Sequence, residues 1–160
     1  MKAECHWNGK KNFITNINGF KVHIDVSLPL GMEKIPTIKQ LVLASFCGRA
    51  GMFVINMLTR SQNRPSKFRI DADSRISESY PYELKEIKLK YFIEGDCSPD
   101  VANEAVVVSQ NRYCAISAMV SQGTSIDYEI WLNNRRITGA EYLALPFASR
   151  MNDQVMYYEA

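Results

Sequence analysis

Two cysteines in this chain occupy positions that suit thiol chemistry. Cys47 lies within the most apolar stretch, residues 41–58, and Cys114 lies inside a second predicted helix. A thiolate is a nucleophile, and two thiols that approach each other can be oxidised to a disulfide. Cysteine is also among the most frequently buried residue types, so each could equally be an inert, small apolar side chain. At this point both interpretations stay open.

The other two cysteines, Cys5 and Cys97, do not extend this pattern. No two of the four cysteines have the spacing of a C-x-x-C motif, so neither a zinc site nor a secreted disulfide framework is predicted. We expect Cys5 to share the apolar face of a strand with Trp7, and we assign no role to Cys97, which precedes a helix. The sequence therefore predicts no metal ion, no cofactor and a location in the reducing cytoplasm.

Size and charge exclude several classes of partner. The chain has 160 residues, with 19 basic and 17 acidic side chains, so one folded core is expected and no clustered basic face for nucleic acid is predicted. The stretch 41–58 approaches the length of a membrane span, but Arg49 and Asn56 would be costly in hydrocarbon. We therefore predict a buried helix and no membrane partner.

The elements predicted to position the thiols are several strands and two long helices. The alternation of apolar and polar residues predicts strands, and Pro36 and Ser98-Pro99 indicate helix starts. An antiparallel sheet with segregated helices predicts the α+β class. The predicted order is three strands within 1–26, a helix over 36–60, strands over 67–76 and 84–94, a helix over 99–121 and a strand over 125–132.

The helix 36–60 is apolar on nearly every side, and a sheet with one solvent-exposed face can cover only one of those sides. A second copy of the chain would cover the rest, so we predict a homodimer with this helix at its centre. The last segment, 133–160, is too apolar to remain in water. We expect it to pack on the domain or on the dimer.

Two short segments carry a family resemblance. Pro36 lies eleven residues before Cys47 with an aliphatic stretch between them, and Cys114 is followed by Ile116 and Ser117. These segments resemble the signatures of the OsmC/Ohr family, closest to its small OsmC-like branch. The resemblance covers residues 1–132, which we take as an OsmC-like domain, and leaves 133–160 as a C-terminal extension. It implies antiparallel sheets wrapping two long central helices in an intertwined homodimer.

The resemblance also implies roles for the cysteines. In the family's peroxidases the first cysteine attacks an organic hydroperoxide and becomes a sulfenic acid, and the second condenses with it to a disulfide that an external thiol reduces. Carried over, Cys47 would be the peroxidatic residue and Cys114 the resolving one. The pocket at the dimer interface would include their neighbours, Ser45, Phe46, Tyr113 and Ser117.

Two activating residues of those peroxidases have no counterpart at the expected places. The family uses an arginine from the N-terminal strands and a glutamate soon after the proline, whereas this chain has no arginine before Arg49 and has Thr37 and Ile38 after Pro36. Arg49 is a candidate substitute, but it lies nearly opposite Cys47 on the helix and could serve only the partner's site. The alternative is a non-catalytic OsmC-like dimer that binds a small apolar ligand at its interface.

Overall fold

A computed structural model describes residues 2–27, 30–31, 34–60 and 64–137, with the backbone alone for Arg112 and Tyr113. The order of elements confirms the predicted α+β class. The elements are β1 (Ala3–Trp7), β2 (Phe13–Ile17), β3 (Phe20–Ile24), α1 (Ile38–Arg60), β4 (Lys67–Ile76), β5 (Leu84–Glu94), α2 (Pro99–Val108), a π-helical turn (Ser109–Tyr113), α3 (Ala115–Val120), β6 (Ser125–Leu132) and β7 (Arg135–Ile137).

The chain divides into two compact units, Met1–Ser45 and Phe46–Ala160. In the first, β1, β2 and β3 form the predicted antiparallel meander, with a tight turn at Asn18-Gly19, where both residues have positive φ. One face is apolar and carries Trp7, which is 68% exposed, and Phe20, which is 76% exposed. Cys5 lies on this face too, as predicted. The described residues of this unit therefore leave the apolar face of the meander uncovered.

Helix α1 begins with a capping box, two residues later than predicted. The amide of Thr37 donates to Gln40 Oε1 (2.8 Å), and the amide of Gln40 donates to Thr37 Oγ1 (3.3 Å). By length and composition α1 could cross a membrane, and 22% of its most apolar window is buried in the chain. The buried residues form one stripe at intervals of four, namely Phe46, Ala50, Val54 and Leu58.

The second unit contains a four-stranded sheet in the order β4-β5-β6-β7. The prediction of a wholly antiparallel sheet is wrong for one pair, because β5 and β6 run parallel. The helical segment between them carries the chain from the end of β5 back to its start, and such a crossover joins parallel strands. β7 follows a turn at Asn133 and Asn134, both with positive φ, and pairs antiparallel with β6. Residues 138–160 of the predicted extension, and with them its packing, lie outside the described residues.

The inner face of β5 forms the centre of the core, as its alternation predicted. Ile87, Leu89, Tyr91 and Ile93 are at most 1% exposed. Helix α2, which begins with Ser98 as N-cap and Pro99 in the first turn, contributes further buried side chains, namely Ala102, Ala105, Val106 and Val107.

The second predicted helix, 99–121, is not continuous, and this prediction is wrong. Helix α2 ends at Val108, the next five residues form a wide π-helical turn, and Cys114 has an extended backbone (φ −79°, ψ 96°) before α3 begins. The break has a tertiary cause, because the side chains of Gln110 and Asn111 form hydrogen bonds with tyrosines of the sheet, Tyr91 and Tyr128. Cys114 therefore caps a short helix and does not lie inside a long one.

Candidate thiol site

Cys47 opens onto an apolar groove between α1 and β4. The groove has a volume of about 420 Å³, and the half-buried Cys47 lies at its helix side. The strand can approach the helix because Gly51 has no side chain, and a Cβ there would lie 3.3 Å from both Phe68 Cε1 and Ile70 Cδ1. The remaining lining residues are Gly48, Met52, Ile55 and Arg69.

The surroundings of Cys47 favour the neutral thiol. Burial raises the pKa of the Cys47 thiol, the negative charge of Asp71 raises it further, and a backbone hydrogen bond lowers it. Since a free cysteine already has a pKa of about 8.5, only a small fraction of Cys47 is thiolate at neutral pH. The carboxylate of Asp71 also pairs with the guanidinium of Arg69 at 3.3 Å.

Cys114 is the more deeply buried thiol, with 2% of its surface exposed. Its sulfur accepts a hydrogen bond from the backbone amide of Ser117 at 3.4 Å, which fixes the start of α3. Ser117 is itself buried, and its hydroxyl donates to Gln110 Oε1 at 2.9 Å. Cys114 therefore lies at one end of a buried polar network.

Tyr91 of β5 stands at the other end of this network. Its ring is fully buried, and its hydroxyl oxygen accepts a hydrogen bond from Gln110 Nε2 at 2.5 Å. Burial raises the pKa of Tyr91 strongly, and the charges of Cys114 and Cys47 raise it further. The hydroxyl thus remains protonated at neutral pH.

Solved structures share this architecture over most of the chain. An OsmC-like protein from Mycoplasma pneumoniae aligns with a TM-score of 0.72 at 13% identity, covering 82% of this chain and 95% of its own. A hypothetical protein from Aquifex aeolicus VF5 gives 0.71 at 20% identity, covering 82% and 96%. An organic hydroperoxide resistance protein from Elizabethkingia anophelis gives 0.64 at 14% identity, covering 82% and 94%.

The chain has the OsmC-like fold. The predicted resemblance to the OsmC/Ohr family is confirmed in the fold, over 82% of the chain. No family model and no curated protein sequence matches the chain.

Within the OsmC-like fold, the other predicted site residues have different surroundings. Ser117 belongs to the network beside Cys114, and Phe46 is fully buried on the core stripe of α1. Ser45 is exposed, and its hydroxyl donates to the carbonyl of Leu41 at 2.8 Å. The guanidinium of Arg49 lies 4.2 Å from the ring centroid of Phe53, one turn further along α1. Tyr113 lies in the π-helical turn, and its side chain is outside the described part of the chain.

The sequence analysis did not identify three residues around the thiols as site residues, namely Tyr91, Gln110 and Asp71. The signal for Tyr91 was available, because a tyrosine on an inward strand face needs a partner for its hydroxyl. Gln110 and Asp71 carried no such signal in the sequence, since a glutamine in a helix and an acidic residue on the polar face of a strand are common in any protein. Among the described residues, no group of three or more His, Cys, Asp or Glu side chains could hold a metal ion.

Proposed function

We propose that this OsmC-like chain is a thiol-dependent peroxidase that reduces organic hydroperoxides through Cys47 and Cys114, in oxidative stress defence in the cytoplasm. One observation carries the proposal: the half-buried thiol of Cys47 opens onto an apolar groove. The structural neighbours include proteins described as organic hydroperoxide resistance proteins, which supports the same chemistry.

The reaction needs two sulfurs and an external thiol. The Cys47 thiolate attacks the terminal oxygen of the hydroperoxide, the O–O bond breaks, and the alkoxide takes a proton and leaves as an alcohol. The resulting sulfenic acid is attacked by the Cys114 thiolate, the S–O bond breaks, and the hydroxide leaves with a proton as water. Two thiol groups of an external reductant then return the disulfide to two free cysteines. The apolar groove would receive the alkyl group of the hydroperoxide.

The functional form in this proposal is a homodimer. The apolar face of the meander, with Trp7 and Phe20 largely exposed, and the exposed α1 residues Ile38 and Met52 are too apolar to be left in water together. A second copy of the chain presents the same surfaces and would bury them. In sedimentation equilibrium we expect a dimer at micromolar concentration, and a monomer there would contradict the proposal.

A second candidate function is favoured by the electrostatics of Cys47. Burial and Asp71 both raise the pKa of this thiol, which makes it a poorer nucleophile at neutral pH. In this alternative the chain is a non-catalytic OsmC-like dimer that binds a small apolar molecule in the groove, and the cysteines are packing residues.

The experiment mixes the reduced protein with cumene hydroperoxide and follows peroxide loss together with the state of each thiol by mass spectrometry. We expect peroxide loss that depends on Cys47 and a Cys47–Cys114 disulfide. Cys47→Ser should abolish both, whereas Cys5→Ser, which removes an exposed thiol on β1, should change neither. Free thiols at both positions after exposure to peroxide would reject the peroxidase and leave the ligand-binding alternative.

A further inference from the structure

The outer face of the four-stranded sheet carries an aromatic pair among charged side chains. Phe92 of β5 stands between Tyr91 and Ile93, which are at most 1% exposed, so its ring points to the opposite, outer face. Trp131 of β6 is its cross-strand neighbour, and the two rings stack with centroids 6.2 Å apart and planes inclined by 23°. The other outward residues of this part of β5 are charged, namely Glu86, Lys88, Lys90 and Glu94.

A cleft of about 550 Å³ opens over this aromatic pair. We call it the outer cleft, and its side chains include Lys67, Arg69, Phe92, Glu94, Trp131 and Asn134. Lys67 Nζ pairs with Glu94 Oε2 at 3.2 Å. The indole N–H of Trp131 donates to Glu129 Oε2 at 3.2 Å. Because these polar groups already have partners, the outer cleft offers an occupant mainly the apolar surface of the two rings.

The surface of the outer cleft has the composition of a docking site. Tryptophan and arginine are enriched among the residues that contribute most to binding, and the guanidinium of Arg69 lies 4.3 Å from the ring centroid of Phe92. An apolar patch with a polar rim is likewise typical of a surface that another chain segment covers. The outer cleft is therefore expected to have an occupant.

The segment 138–160 begins beside the outer cleft. Strand β7 ends at Ile137, and its Arg136 is the cross-strand partner of Trp131. Adjacent strands lie about 4.8 Å apart, so Phe92, two strands away, is about 10 Å from β7, and about three extended residues span that distance. Of the 23 residues that follow Ile137, nine are large and apolar and four are charged. A segment of this composition needs apolar cover, and the nearest aromatic surface is the outer cleft.

We propose that residues 138–160 fold back over the outer cleft of their own chain and bury the rings of Phe92 and Trp131. The inference assigns one surface to the predicted C-terminal extension, and it does not depend on the proposed thiol chemistry. A second copy of the chain is the weaker candidate for this surface. The surfaces proposed for the homodimer are the apolar face of the meander and α1, whereas the outer cleft is surrounded by charged residues, which are depleted at the centre of stable interfaces.

Trypsin can report whether the segment is docked, because Arg150 is the one lysine or arginine within residues 138–160. Full-length protein is digested under native conditions, and the cut after Arg150 is followed by intact mass. The test variant carries both Phe92→Thr and Trp131→Thr, since threonine removes the rings and keeps a high strand propensity. The matched control is Lys90→Thr, which changes the next outward residue of β5 outside the lining of the outer cleft.

We expect the double variant to be cut after Arg150 at least about tenfold faster than the unmodified protein, the scale of one lost dominant contact. Lys90→Thr should stay within about twofold of the unmodified protein. Cuts at the lysines and arginines of β4 and β5 should keep their rates in both variants, because a released segment leaves the sheet folded. Equal cutting after Arg150 in the double variant and the unmodified protein would overturn the inference.

Photochemical crosslinking tests the same contact with both rings in place. The photoreactive residue p-benzoylphenylalanine replaces Lys67, across the outer cleft from β7, or, as a control, the exposed Met52 of α1. We expect crosslinks from position 67 to residues 138–160 and none from position 52 to that segment. Mixed ¹⁵N-labelled and unlabelled chains show whether the crosslinked segment belongs to the same chain. A crosslink from position 67 to a second copy, a segment crosslinked from position 52 instead, or no crosslink to the segment would each overturn the inference.

Discussion

Removing Gln110 should destabilise the chain by more than an ordinary surface amide would. The side chain makes two buried hydrogen bonds, to Tyr91 at 2.5 Å and to Ser117 at 2.9 Å, and Gln110→Ala deprives both hydroxyls of their partner. Each buried polar group left unsatisfied costs about 1–3 kcal/mol, so the loss of two partners should lower the free energy of unfolding by about 2–6 kcal/mol. That is a large part of the roughly 5–15 kcal/mol that stabilises a typical domain.

Urea denaturation at a fixed protein concentration measures this effect, because the stability of the proposed homodimer would depend on concentration. The matched control is Asn111→Ala, one residue further along the same turn, whose partner Tyr128 is only half-buried. We expect this control to lose less than about 1 kcal/mol, since water can replace its hydrogen bond. Adding Tyr91→Phe to Gln110→Ala should cost less than the two separate effects combined. A loss for Gln110→Ala no larger than for Asn111→Ala would refute the reasoning.

Three further outcomes follow from the structure. Asp71→Asn should lower the pKa of the Cys47 thiol, so iodoacetamide should alkylate Cys47 a few-fold faster at neutral pH. In the unmodified protein the alkylation rate should keep rising with pH beyond the ordinary cysteine pKa of about 8.5. An alkylation rate that Asp71→Asn leaves unchanged would contradict the assigned influence of Asp71. Gly51→Val should close the groove and lower the free energy of unfolding by about 1–3 kcal/mol, because a Cβ at position 51 already lies 3.3 Å from two side chains of β4. Gly48→Ala, where a Cβ would meet nothing within 4 Å, should leave stability equal or higher. Phe20→Asp should shift sedimentation toward the monomer without loss of helical circular dichroism, and an undiminished dimer would exclude the meander face from the interface.

The strands and the start of α1 could be predicted because their signals are local. The alternation of apolar and polar residues was enough to predict β4 and β5, and the Asn18-Gly19 dipeptide predicted the tight turn that joins β2 and β3. The break before Cys114 could not be predicted, because its cause is a hydrogen bond between Gln110 and Tyr91, 19 residues apart and in different elements. For the same reason, the parallel pairing of β5 and β6 becomes visible only when the intervening segment is known to cross back over the sheet.

The candidate site was predicted in part for similar reasons. The spacing around Cys47 and Cys114 carried the resemblance, and that resemblance is confirmed in the fold. The surroundings of the two sulfurs depend on residues from other elements, Asp71 on β4 and Tyr91 on β5. No window of sequence around either cysteine contains them, so the influence of Asp71 on the pKa of Cys47 could not be inferred, whereas a buried hydroxyl at Tyr91 was indicated only by the inward face of its own strand.

The π-helical turn joins its two consecutive amides, Gln110 and Asn111, to tyrosines on adjacent parallel strands, Tyr91 on β5 and Tyr128 on β6. The two hydrogen bonds therefore connect the turn to both strands, and the turn ends at the backbone of Cys114. Local opening of the strand pair would break these hydrogen bonds, and the loss of the hydrogen bonds would displace the thiol of Cys114. We therefore expect Cys114 and the parallel strand pair to belong to one cooperative unit, whose amides open together in hydrogen exchange.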